Sequence, residues 1–152
     1  MEKFAPKGKK GVDFLILLER EQLLILTELK NFERIDKKGR YKKGTYSFEL
    51  CKDVAQKFCD TLEGLNSPSD LVECEERSFA MKVFKLKNKA VFHWELKKTL
   101  RCDIRKQQYV LMAKGLKAQM HALKNPSVHV LVFNIHDYPA PCSWWTVKRI
   151  QK

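Results

Sequence analysis

The apolar positions near the start of this chain fall in runs, not stripes. Val12-Asp13-Phe14-Leu15-Ile16-Leu17-Leu18 and Leu23-Leu24-Ile25-Leu26-Thr27-Glu28-Leu29-Lys30 flank a charged break, Glu19-Arg20-Glu21-Gln22. Short runs around such a break read as a β-hairpin, and runs apolar on both faces read as strands covered on each side. One long helix is the alternative, because Leu, Glu, Arg and Gln all favour helix. The continuous run, where a helix would show a stripe, weighs against it.

Downstream the period changes. Phe48, Cys51, Ala55, Phe58, Leu62 and Leu65 recur at helical spacing behind Ser47, with Glu49 in the first turn, Gly64 at the end and Pro68 beyond. That predicts a helix over 47–64 with Ser47 as its cap. Residues 66–76 read as a polar connection. Phe79–Leu86 and Lys89–Leu96 read as a second hairpin around Lys87-Asn88. Asp103 can cap a helix running to about Leu123, with Tyr109, Met112, Leu116, Met120 and Leu123 on one side and Asn125-Pro126 stopping it. Val128–Ile135 and Trp144–Ile150 read as strands. The order ββ-α-ββ-α-β-β predicts an α/β (α+β) domain with a mixed central sheet flanked by helices.

The 152 residues fit one domain over 12–152 behind a basic, flexible or extended arm, 1–11, carrying Pro6, Gly8 and Gly11. No apolar run approaches the ~20 residues of a membrane-spanning helix. The net charge of +12 changes the picture of partners. Nucleic acid is the first expectation, since Lys and Arg release counterions from polyphosphates; an anionic membrane surface or mere solubility are the others. Cys51, Cys59, Cys74, Cys102 and Cys142 are odd in number and form no C-x-x-C pair, and Met1–Pro6 has no apolar leader core. Reduced thiols in the cytoplasm are expected.

The first hairpin carries the chemistry. With its turn centred on Arg20-Glu21, Leu18 faces Leu23 and Asp13 faces Glu28, while Lys30 shares the face of Glu28 above Leu15, Leu17, Leu24 and Leu26. Opposed Cβ atoms lie about 4.5–5.5 Å apart, so two carboxylates and an ammonium meet at the open end. Paired carboxylates repel unless a cation separates them. Mg²⁺ is commonly held by one or two carboxylates and phosphate oxygens, and it polarises phosphate and activates water. Lys30 is placed to stabilise the transition state or position the attacking water. Basic segments at 37–43 and 82–89 are expected to hold the polyanion.

Val12-Asp13 followed by Glu28-Leu29-Lys30 resembles the PD-(D/E)xK nuclease superfamily, with Val12 where the motif name has Pro. The similarity in element order runs from Val12 to Ile135. The resemblance implies a restriction-endonuclease-like core with Asp13 and Glu28 as metal ligands, the Leu29 carbonyl a further one and Lys30 the catalytic lysine. It also implies Mg²⁺ or Mn²⁺, a nuclease acting on DNA, and often a homodimer. Many members carry another acid upstream; here only Glu2 precedes Asp13, so either the site uses fewer acids, or Glu49 or Gln56 from the next helix completes it, or the domain is a degenerate binder. DNA contacts are expected from Lys37, Lys38, Arg40, Lys42, Lys43, Lys85, Lys87, Lys97, Lys98 and Arg101.

Glu95-Leu96-Lys97 is a second E-x-K, but its hairpin partner would be Ala80, which offers no acid. His136-Asp137 precedes Tyr138-Pro139 and reads as a strand-end turn, with a general base as the sharper alternative. Trp144 and Trp145 divide between core and an exposed contact. Arg105, Lys106, Lys114, Lys117 and Lys124 form either a phosphate-facing or a solvated helix face. The readings left open are a metal-dependent nuclease, a non-catalytic nucleic-acid-binding module on the same basic surfaces, and an interaction subunit with a protein partner.

Overall fold

In the computed structural model, the described residues are 8–31, 47–67, 71, 74–83, 86–95, 102–125 and 127–133. Two strands open the chain, β1 (Phe14–Leu18) and β2 (Leu23–Asn31). They are antiparallel, with Phe14 opposite Thr27 and Leu18 opposite Leu23, as the sequence register requires. Glu19–Gln22 closes the turn: the Gln22 N–H donates to the Glu19 carbonyl, and Gln22 takes φ 51°. A non-glycine residue in that region costs roughly 1 kcal/mol. The Gln22 side-chain amide partly offsets it by also donating to the Glu19 carbonyl.

Helix α1 (Phe48–Asn66) follows with the expected cap, the Leu50 N–H donating to Ser47 Oγ. It runs two residues past Gly64, and Ser67 N–H closes it on the Gly64 carbonyl. The expected second hairpin does not form. Residues Cys74–Val83 make helix α2, and β3 (Lys87–Glu95) pairs in parallel with β2. The physical reason lies in the sequence: Glu75 and Glu76 suit a helix N-terminus, and Glu76, Ala80 and Val83 are buried at helical spacing. Helix α3 (Cys102–Ala122) then crosses to β4 (His129–Phe133), parallel to β3. Asp103 therefore lies inside α3, one residue past its start. The strand expected at Trp144–Ile150 lies outside the described residues.

The result is an α/β fold with a mixed sheet ordered β1-β2-β3-β4 among the described residues. One face carries Leu24, Leu26, Ala90 and Phe92 and packs against all three described helices. Phe58, Phe92, Leu24, Leu26, Met112 and Leu116 are enclosed there, each worth about 1.5–3 kcal/mol of burial. Leu23, Ile25 and Val91 form a smaller cluster on the other face with Ile16, Leu18 and Leu131. β2 is the central, buried strand of the hairpin. β1 ends the described sheet and is less covered, with Phe14 54% exposed. Residues 8–12, from the basic segment into the domain, lie along α1: Lys9 pairs with Glu63 at 2.7 Å, Val12 N–H donates to Thr61 Oγ1, and Gly11 is buried. No helix among the described residues is long and apolar enough to cross a membrane.

Candidate active site at the open end of the hairpin

The even-numbered side chains of β2 face the helices, so Leu24, Leu26, Glu28 and Lys30 follow one another along one side. Glu28 is thereby carried from the core to the cluster with its side chain fully buried. Its Oε1 lies 2.6 Å from Lys57 Nζ and 3.0 Å from Lys30 Nζ. Its Oε2 is buried and has no hydrogen-bond partner among the described residues. A buried carboxylate survives only where cations or donors replace water, so the two lysines are what make this position tenable.

Asp13 stands one residue before β1, where the register continues to Glu28. Its Oδ2 accepts the Leu29 N–H at 2.8 Å, a charge-assisted bond that fixes the carboxylate to the backbone between Glu28 and Lys30. Asp13, Glu28 and Lys30 thus gather at the end of the hairpin opposite its turn. The fourth member, Lys57, comes from α1 and was not read from the sequence. It sits on the polar border of the α1 stripe, between Val54 and Phe58, where a helical count marks a residue near the sheet without saying what it touches. One turn on, Thr61 ties this part of α1 to the segment before Asp13: Thr61 Oγ1 donates to the Lys57 carbonyl at 2.9 Å and accepts Val12 N–H at 3.0 Å.

A cavity of about 460 Å³ opens beside this cluster. Glu28 and Lys30 form its sheet side, α1 contributes Asp53, Gln56, Lys57 and Asp60, and Lys9 and Lys10 close it from the N-terminal segment. Gln56, an expected accessory, does line it, donating to Asp60 Oδ1 at 2.8 Å. Glu49 does not; it is exposed in the first turn of α1, where it favours the helix N-terminus. Asp53, Asp60, Lys9 and Lys10 were not anticipated. Lys9 leans on Glu63 and Asp60, whose charges raise its ammonium above the usual lysine range, Glu63 most strongly. Four lysines against three acids make the cavity wall net basic.

The basic contacts divide. Lys37, Lys38, Arg40, Lys42, Lys43, Lys85, Lys97, Lys98 and Arg101 lie outside the described residues, as do His136, Asp137, Trp144 and Trp145. Lys87 belongs to the hairpin-turn end of the sheet, away from the cluster. It pairs in register with Leu23, whereas Glu28 pairs with Phe92 five positions on, about 16 Å along the strand. Lys82, on α2, pairs with Glu19 at the hairpin turn and holds that carboxyl below its ordinary range. The second E-x-K loses its hairpin premise as well: Ala80 is helical, and Glu95 stands opposite Asn31 in β2.

Among the described residues no three His, Cys, Asp or Glu side chains gather as a metal group. Oxygens that could serve a hard cation are those of Asp13 and Glu28 with the Leu29 carbonyl, and on the cavity wall those of Asp53 and Asp60. That donor set suits Mg²⁺ or Mn²⁺, and the unpartnered Glu28 Oε2 is an acceptor such an ion would satisfy. Comparison with protein-family models, with curated proteins and with solved structures finds no match for this chain.

Proposed function

We propose that the chain is a metal-dependent nuclease of PD-(D/E)xK type that hydrolyses phosphodiester bonds of DNA. The observation that carries this reading is a fully buried Glu28 with one free acceptor oxygen, set beside Lys30 at the edge of a basic cavity, with Asp13 bonded to the neighbouring Leu29 N–H. Asp13, Glu28 and the Leu29 carbonyl are the groups to hold Mg²⁺ or Mn²⁺. The ion, when bound, supplies charge for the phosphate and an activated nucleophile. The protein's own part is positional and electrostatic. The Leu29 N–H fixes Asp13, and Lys30, paired with Glu28 and with a side chain 37% exposed, can turn its ammonium toward negative charge growing on the phosphate. Lys9 and Lys10 neutralise the flanking backbone. A homodimer would pair two cuts by symmetry, and a protein partner would supply targeting. The buried free thiols of Cys51 and Cys59 accord with a reducing, cytoplasmic setting.

A second reading has its own observation. Lys57 and Lys30 already neutralise Glu28 through Oε1, which is what a non-catalytic nucleic-acid-binding module would need to keep the carboxylate buried. The discriminating experiment incubates the purified chain with supercoiled, linear and branched DNA in Mg²⁺, Mn²⁺ or EDTA. The nuclease reading expects metal-dependent cleavage of at least one form. Binding of all three with cleavage of none leaves the binding module.

A further inference from the structure

We propose that Lys57 is the resident counter-ion of Glu28, holding the place of a divalent cation until one binds; the inference rests on the metal-dependent reading above. Two ammoniums approach the same oxygen of Glu28 and leave the other without a partner among the described residues. Lys57 is the nearer, at 2.6 Å against 3.0 Å, and the more enclosed, at 20% against 37% exposure. It is also carried by the helix to which the segment before Asp13 is bonded. Thr61 bonds at once to the Lys57 carbonyl and to the N–H of Val12, the residue before Asp13. One hydroxyl therefore ties the segment before β1, which carries the second carboxylate, to the helix that carries the counter-ion.

The charges at the cluster balance, Asp13 and Glu28 against Lys30 and Lys57. A divalent cation that uses Glu28 would stand next to the Lys57 ammonium, and like charges at contact range repel strongly where water is excluded. Metal and Lys57 therefore compete for one carboxylate. Lys57 also lines the cavity, so a phosphate group there offers it a new partner as it leaves Glu28. The free protein is thus a poor metal binder, and metal and polyanion favour each other's binding. Lys57 acts as a positioning residue, since its effect passes through Glu28.

Thermal unfolding of the full chain, read in EDTA and across a Mg²⁺ titration, tests this. Lys57→Met is expected to melt below wild type in EDTA, to recover as Mg²⁺ is added, and to bind Mg²⁺ about tenfold more tightly than wild type or tighter. Lys57→Arg is expected to behave as wild type. The Lys57→Met/Glu28→Gln double variant is expected to fold without metal and to ignore it. Equal Mg²⁺ shifts in wild type and Lys57→Met overturn the proposal. So does a double variant as unstable as Lys57→Met, because Lys57 would then matter through packing alone. The readout is separate from cleavage. A chain that cuts DNA but shows no metal rescue in Lys57→Met loses only the counter-ion role. A chain rescued by Mg²⁺ that cuts nothing loses only the nuclease reading.

Discussion

Glu28 is buried because of where it falls in an alternating strand, two residues after Leu26 on the helix-facing side of β2. Everything around it follows from the need to compensate that charge, and the nearest compensation, Lys57, lies 29 positions away on another element. The motif residues were legible because a hairpin converts sequence spacing into contact. Lys57 was not, because only the docking of α1 on the sheet brings it there. Another residue-scale consequence concerns Cys51. Burial pushes its thiol up to about 11, from an ordinary value near 9. A raised folded value means that stability is intact below the unfolded value and declines as pH climbs from about 9 toward 11. Urea midpoints of wild type and Cys51→Ala, compared across that window, are expected to diverge in slope, with wild type losing more. At neutral pH Cys51 is expected to resist alkylation until the chain unfolds.

At the scale of elements, the first hairpin and α1 were readable and the second hairpin was not. The β1–β2 register came from one turn and two runs, and it holds residue for residue. α1 announced itself through a cap and a stripe; Ser47→Ala is expected to cost about 1 kcal/mol in chemical denaturation, because the Leu50 N–H loses its acceptor. The segment 79–86 misled because Phe79-Ala80-Met81-Lys82-Val83 interleaves apolar residues with a lysine in a way that also fits alternation. Ala80 and Val83 turn inward as one helical face while Met81 stays 70% exposed. Once α2 forms, β3 has no antiparallel partner upstream and joins β2 in parallel through the crossover. Gln22→Gly is expected to stabilise the hairpin turn by up to roughly 1 kcal/mol, since glycine takes its positive φ freely. A destabilised variant would show that the bond from the Gln22 side chain to Glu19 outweighs the strain.

Across the whole molecule, the excess charge of +12 points to a polyanion as partner but does not say where it would lie. Parallel pairing of β3 with β2 puts Lys87 at the hairpin-turn end and the cavity lysines at the other. Charge removal should therefore act unequally. In low-salt binding to duplex DNA, Lys10→Ala is expected to weaken affinity severalfold and to lower the salt slope by about 1, while Lys87→Ala leaves both near wild type. Equal losses would mean that the site is not where the polyanion sits. The cluster itself is tested most directly by Mg²⁺-dependent DNA cleavage with wild type and Glu28→Gln, at protein concentrations that saturate binding for both. The account predicts that, with DNA fully bound in both, cleavage by Glu28→Gln falls by a hundredfold or more, on the order of 3 kcal/mol of transition-state stabilisation. Cleavage undiminished by Glu28→Gln, or absent from wild type with every metal and DNA form, would contradict it.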